Sequence, residues 1–390
     1  MNRPRKLKIQ IQRTPEQLDL VRRMGSKNKT ESMAASEALA AVMSQPILQV
    51  IEQAPVISNL YQTLSYSAGE PSLIPLDPYF DVRNQNFINV WTQSQPGGTA
   101  TSFTIGQSDL FVQTYPLESA ISMNKNQLRA GNLDYLAANL TRIVQEVLLV
   151  QQTNAAFTLF NSLAGARING NSADSATNNI VMARTATANR FQIDDFNTMM
   201  IGYDRTTASW VGGTPVNDQR EITDILGSPE WMGQIRSIAY QPQNTVAGSL
   251  ATEGATALSA PESVRDEILR SAGVPTFFGK VLHKVYEMGM GRSYNSIFDT
   301  AIGSTALPGF GAGFGGGSTS VFDGATEEII VGLNYDMFDL ARLRMVEEDS
   351  AFTLVNDDSV SIRSDKLSYY GGLTEGYVSV EGRAKFALSM

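Results

Sequence analysis

The sequence contains no cysteine. Disulfide staples, thiolate catalysis and cysteine-built zinc or iron–sulfur sites are therefore excluded. Histidine occurs once, at His283, so a histidine-dependent mechanism has a single candidate. Charge is scarce: Asp, Glu, Lys and Arg make up 18% of the 390 residues against 42% hydrophobic, with a mean hydropathy of −0.13. No apolar run approaches the ~18 residues of a membrane span. The start, Met1-Asn2-Arg3-Pro4-Arg5-Lys6, leads into Leu7-Lys8-Ile9-Gln10 rather than an apolar stretch, so no secretory signal is read and synthesis is placed in the cytoplasm. Lysine is missing between Thr30 and Asn124. What remains is a globular composition with enough chain for at least two lobes.

The net charge of −9 hides an asymmetry. Residues 1–29 hold nine Lys and Arg against Glu16 and Asp19, or +7, which leaves 21 against 37 in the rest, or −16. A basic arm on an acidic body is expected to touch phosphate, or to dock on the acidic body of a neighbouring copy. Its foremost cations are Arg3, Arg5, Lys6, Lys8 and Arg13. Thr30–Glu52 is rich in Ala, Met, Glu and Leu and predicts a helix with Pro46 as an interruption. Pro55, Pro71, Pro75 and Pro78 then punctuate an extended stretch in which no compact fold is expected, so residues 1–79 read as an arm.

Between Asn84 and Leu117, β-branched and aromatic residues flank Gln95-Pro96-Gly97-Gly98-Thr99, the pattern of a long hairpin. Asp109 is the only charge in those 34 residues, although exposed strand edges normally carry Lys, Glu or Pro. Either the hairpin lies on its own core or another copy covers it, with Trp91, Phe103, Leu110 and Phe111 as the contact residues.

Gly131 and Gly165 bracket 33 residues without Gly or Pro, in which Leu133, Leu136, Leu140, Ile143, Val147, Val150, Asn154 and Phe157 recur at alternating spacings of three and four. This predicts one long amphipathic helix over 132–164, capped near Asn132. Further helices are predicted from Ile193 toward Tyr203, at Ile222–Ile238 and at Ser263–Ala272. Strands are predicted at Thr276–Val285, Glu328–Leu333, Ala351–Val355, Val360–Arg363 and Tyr377–Leu388. The fold class is α+β.

The chemical signals are weak. Gly311, Gly313 and Gly316 satisfy a dinucleotide-type glycine spacing, but Ser-Thr-Ser-Val-Phe-Asp-Gly follows, which does not read as a helix. The pairs at Glu347-Glu348-Asp349, Asp357-Asp358 and Asp194-Asp195 are neighbours in sequence, which on a strand point to opposite faces and chelate poorly. His283 lies in a predicted strand, and no G-x-S-x-G elbow accompanies it. Neither catalytic, cofactor nor metal residues are assigned. The run Gly309–Gly317 has six glycines in nine positions, interleaved with Phe310 and Phe314, and reads as a flexible or tightly apposed loop.

The order of these features resembles the major capsid protein of tailed double-stranded-DNA bacteriophages, the Hong Kong-97 type fold. That order is extended arm, long hairpin, the stretch Phe111-Val112-Gln113-Thr114-Tyr115-Pro116-Leu117-Glu118-Ser119-Ala120-Ile121-Ser122, long helix, mixed domain and closing strands. The resemblance implies an E-loop over 80–120 and a P-domain over 121–199 with its spine helix at 132–164. It implies an A-domain over 200–345 and returning P-domain strands over 346–390. It also implies hexamers and pentamers of the chain, a portal, scaffolding and cement proteins as partners, non-specific contact with packaged double-stranded DNA, no membrane, and a virion assembled in the bacterial cytoplasm. The glycine loop, at Gly309, Phe310, Gly313, Phe314 and Gly316, would gather at capsomer axes. Family members with a fused scaffolding segment carry a longer charged N-terminal region than the roughly 80 residues here, so a separate scaffold, or none, is expected. An encapsulin-like nanocompartment shares the fold, and a hydrolase using His283 is the rival of a different class.

Overall fold

The computed structural model describes residues 15–53, 56–76, 108–168, 180–182, 191, 196–197, 199–200, 221–238, 276–277, 279–304, 306–309, 317–335, 340–346, 351–356, 366–380 and 385–390. The longest element is helix α4, Leu133–Ile168, about 54 Å at ~1.5 Å per residue. Asn132 caps it, its side-chain oxygen accepting from the Tyr135 amide at 3.1 Å. Three shorter helices precede it: α1 at Pro15–Met24, α2 at Lys29–Gln53 and α3 at Lys125–Arg129.

The buried face of α4 departs from the expected stripe. Leu136, Leu140, Ile143, Val144 and Val147 face one core and Ala155, Ala156, Leu159, Phe160, Leu163 and Ala164 another, while Val150 and Phe157 are exposed. The alternating three-and-four pattern follows a repeat of 3.5 residues, which holds one face only in a supercoiled helix. In a straight helix at about 100° per residue, Leu136 and Leu163 lie about half a turn apart. The helix therefore packs on one side with its first half and on nearly the opposite side with its second.

Each half meets its own sheet. The first half lies on a five-stranded sheet of β1 (Gln62–Ser67), β4 (Tyr115–Asn124), β12 (Leu340–Val346), β13 (Thr353–Asn356) and β14 (Lys366–Ser379). Strand β14 is its axis. Along one edge it pairs with β4 over ten positions, Lys366↔Asn124 to Glu375↔Tyr115; along the other it pairs with β12 and then β13. Paired positions sum to 719 in β12 and 725 in β13, so the two are one strand interrupted by six extra residues. Phe352, at the end of that excursion, is buried, and a Cβ on Gly371 would come within 2.8 Å of its ring, so the glycine makes room for it. The far face of this sheet is covered by a ribbon of β2 (Leu73–Leu76) and β3 (Ser108–Phe111) through Ile74, Val112, Ala341 and Leu343.

The second half lies on an eight-stranded mixed sheet in the order β10 (Gly317–Val321), β9 (Ala306–Gly309), β5 (Ile180–Met182), β15 (Lys385–Ser389), β11 (Ile329–Leu333), β6 (Asp224–Gly227), β8 (Lys280–Lys284) and β7 (Thr276–Phe277). Alternation splits it cleanly. Leu226, Ile329, Val331 and Ala387 face α4 and helix α6, Ser293–Ile302; Ile225, Ile330, Phe386 and Leu388 face helix α5, Pro229–Ile238, and Trp231.

The expected helix at 222–238 is instead strand β6 followed by α5. Ser228-Pro229 opens a helix rather than kinking one: proline stands at the first helical position and Ser228 Oγ accepts from the Trp231 amide at 3.0 Å. The single strand expected at 276–285 is the hairpin β7–β8, turned at Gly279 with φ 74°. The strand expected at 377–388 is divided, its first part ending β14 in one sheet and its second forming β15 in the other.

Over residues 15–53 and 56–76 the expected arm is part of the fold. Val21, Met24, Leu39, Met43 and Ile47 of α1 and α2 are buried in the core with Leu136 and Leu140. Strand β1 pairs in parallel with β12, and Tyr61 donates to the Ala155 carbonyl at 2.7 Å. The helix expected at 263–272, the strand at 360–363 and the three acidic clusters lie outside the described residues.

Candidate self-assembly surfaces

The expected hairpin is flanked in the chain by the two strands of the β2–β3 ribbon. Residues 77–107, including Trp91 and Phe103, lie outside the described residues, but the ribbon fixes where the segment leaves and re-enters. Leu73 pairs with Phe111 and Ile74 with Leu110. Successive strand residues point to opposite faces, and the two contact residues expected here divide accordingly. Leu110 packs against the chain's own core beside Ile74, whereas Phe111 stands 68% exposed.

The glycine run is flanked by the paired strands β9 and β10. Gly309 pairs with Gly317 across β9 and β10, and Phe310, Gly313, Phe314 and Gly316 between them lie outside the described residues. Strand β10 follows, so the glycine run does not open a helix. Strands β9 and β10 lie at the end of the eight-stranded sheet opposite the end that carries His283.

A third surface was not anticipated. Leu149, at 68% exposure, and Phe157, at 57%, stand on the outer side of α4 with Val150 between them. They occupy the stretch where the buried face crosses from one side of the helix to the other. Of the basic arm, Arg3, Arg5, Lys6, Lys8 and Arg13 lie outside the described residues.

The polar groups that are buried bind one element to another. Glu375 accepts from Gln151 Nε2 at 3.0 Å, from Tyr377 Oη at 2.7 Å and from Arg344 at 3.4 Å, and Arg342 donates to Thr63 Oγ1 at 2.6 Å. Burial first, then the charge of Glu375, pushes the Tyr377 hydroxyl far above its usual range. His283 Nε2 lies 2.6 Å from Asp224 Oδ1 on the neighbouring strand. Burial works to raise the Asp224 carboxyl, but hydrogen bonds from His283 and Thr223 and the charge of His283 hold it below its usual range. The Thr223 hydroxyl donates to Asp224 rather than facing the imidazole, so the group does not form a nucleophile–base–acid relay. Among the described residues no three His, Asp or Glu side chains are grouped to hold a metal ion, and no helix is long and apolar enough to cross a membrane.

By sequence the chain matches no protein-family model and none of the curated proteins. By structure it is similar to the mature capsid of bacteriophage PhiM1, with 11% identity over 86% of each chain and a TM-score of 0.46. It is also similar to the holo-SrpI encapsulin of Synechococcus elongatus, with 10% identity over 85% of each chain and a TM-score of 0.42. A third similar structure is a virus-like particle from Pyrococcus furiosus, with 8% identity over 90% of this chain and 99% of that one, and a TM-score of 0.41.

Proposed function

We propose that this chain is a major capsid protein: copies of it assemble into the icosahedral head of a tailed bacteriophage that encloses double-stranded DNA, and it performs no chemistry itself. The observation that carries the reading is apolar surface that one copy leaves exposed on two separate elements, Phe111 with Leu73 at the hairpin base and Leu149 with Phe157 on α4. An interaction surface repeated in every copy lets modest contacts sum to a stable shell. On this reading 80–120 is the E-loop, 121–199 a P-domain with α4 as its spine, 200–345 the A-domain with the glycine loop at capsomer axes, and 346–390 the returning P-domain strands. Hexamers and pentamers, a portal, scaffolding and, in place of cross-links, packing or a cement protein complete the assembly in the bacterial cytoplasm.

Deleting Val90–Ile105 tests the reading. Soluble capsomers or single subunits are expected, and closed shells from the deleted protein would overturn it. Shells of the intact protein that form uniformly small and without nucleic acid would instead favour a nanocompartment. Replacing His283 with Ala is expected to leave assembly intact, whereas loss of a hydrolytic activity with His283 would restore the enzyme reading.

A further inference from the structure

We propose that the free edge of β4 receives an added strand from a neighbouring copy, supplied by that copy's residues Lys6–Gln12. The inference rests on the shell reading and deepens it by naming the place where the arm of one copy takes hold of the next.

The edge is long and its packing is incomplete. Among the described residues β4 pairs with β14 alone, so its other side offers backbone donors and acceptors without a strand partner. Pro116 and Glu118 guard one end of it, but Ser119–Asn124 carry neither charge nor proline. On the face toward α4, Leu117 and Met123 are buried while Tyr115, Ser119 and Ile121 are only half-buried. The residues on the same face of β14, Leu367, Tyr369 and Leu373, are buried, so the core is complete at β14 and open at the β4 edge. Ser119 donates to Glu146 at 2.9 Å, which sets α4 beside this edge, and Leu149 and Val150 stand exposed about one turn further along the helix.

The occupant is read from the sequence. Lys6-Leu7-Lys8-Ile9-Gln10-Ile11-Gln12 alternates polar and apolar side chains without exception, the pattern of a strand buried on one face. These residues lie outside the described ones. Their number matches the seven positions from Glu118 to Asn124, and Leu7, Ile9 and Ile11 would cover the half-buried rim at Ile121. The hairpin fits this edge less well. It sets apolar residues side by side, as in Phe87-Ile88 and Val90-Trp91, which suits burial on two faces. It also holds no cation between Asn84 and Leu117, whereas Arg5, Lys6, Lys8 and Arg13 can meet Glu118 and Glu146, of which Arg142 offsets only the second.

Antiparallel pairing is the more stable, and it fixes which copy supplies the strand. It puts Lys6 at the Asn124 end of the edge and Gln12 at the Glu118 end. Within one chain α1 is docked near the Asn124 end: a Cβ on Gly131, just past α3, would fall 3.9 Å from Leu18 Cδ2. The link from Gln12 to Pro15 reaches about 11 Å, and the Glu118 end lies about 20 Å beyond Asn124. The strand therefore comes from another copy.

The test exploits a chain without cysteine. Full-length protein carrying Gln10→Cys is mixed with full-length protein carrying Glu118→Cys, Ala120→Cys or Ser122→Cys, three exposed positions on one face of the edge, and each mixture is oxidised after assembly. A reducible band at twice the 42.4 kDa subunit mass is expected from at least one mixture, from neither chain alone, and not from a control carrying the exposed Tyr286→Cys beyond β8. A second variant, Ile9→Pro with Gln10→Pro, takes an N–H from the ladder whichever of the two residues faces β4, and is expected to lower the share of protein in particles several-fold. Double-proline particles that form as fully as the parent's overturn the proposal. Electron microscopy keeps its failure apart from failure of the shell reading: particles that give no cross-linked band from any of the three mixtures sink the pairing alone, and absence of particles from the parent sinks both.

Discussion

Gln151 Nε2 donates to Glu375 Oε2 at 3.0 Å with both side chains fully buried, and this bond joins the middle of α4 to the strand on which the five-stranded sheet is built. Gln151 sits where the buried face of the helix passes from one core to the other. A polar anchor fixes the helix against sliding at the one place where apolar packing changes sides.

The first prediction concerns that anchor. Glu375→Ala removes the acceptor shared by Gln151, Tyr377 and Arg344, and breaking a buried ion pair by removing one member costs about 3–5 kcal/mol. Gln151→Ala removes a hydrogen bond alone and is expected to cost about 1–3 kcal/mol. Urea unfolding of the unassembled subunit measures both, and equal, small effects from the two would show that the pair is not coupled as described.

A buried carboxyl, Glu328, and a half-buried one, Asp224, are expected to give opposite pH dependences. Burial first, and then the neighbouring Glu230, holds Glu328 above its usual 4.5 against the hydrogen bonds from Ser228. Its stabilising contribution is present below pH 4.5 and lost as pH rises through the folded value, so Glu328→Gln should raise the melting temperature near pH 7 and give no gain at acid pH. Asp224 is held below its usual 3.8, so its contribution is present above that pH and lost as pH falls. Asp224→Asn should therefore destabilise near pH 7 and progressively less toward pH 3. Melting curves across this range decide, and a Glu328→Gln gain that did not change with pH would contradict the first assignment.

Phe111 and Leu110 are adjacent in sequence and opposite in role. Phe111→Ser should leave subunit stability within about 0.5 kcal/mol, as for exposed positions, while weakening assembly. Leu110→Ser should lower subunit stability, because that side chain packs on Ile74 and Val112. Equal assembly by the parent and Phe111→Ser would remove Phe111 from the interface.

The particle is expected to hold together without covalent links between subunits. An isopeptide bond needs an amine nucleophile in the hairpin, and no lysine occurs between Thr30 and Asn124; a disulfide needs cysteine, of which there is none. Particles boiled in detergent should run as one band near 42.4 kDa. A ladder of higher species would contradict this.

Much of the fold was legible where one local rule dominated. The Gly- and Pro-free stretch with Asn132 ahead of it gives α4, and the Ala-rich stretch gives α2. What was hidden depends on contacts distant in sequence. Arg342 and Arg344 mask the alternation of β12 because their heads are spent on Thr63 and Glu375. Helix α6 carried a readable signal in Tyr294, Phe298 and Ile302 followed by Gly303, a four-residue spacing closed by a glycine at φ 57°. The basic character of the N-terminal region was plain in the sequence, but that Arg129 of α3 packs on Gly25 and Arg22 on Gly131 no local pattern encodes. The alternation of Leu110 and Phe111 could have been read from strand period alone once β3 was paired.

The central claim is that many copies of this chain close into a shell. Negative-stain electron microscopy of the purified full-length protein tests it most directly: closed, roughly spherical particles tens of nanometres across are the predicted result, and a protein that stays monomeric at every concentration and salt examined would contradict it.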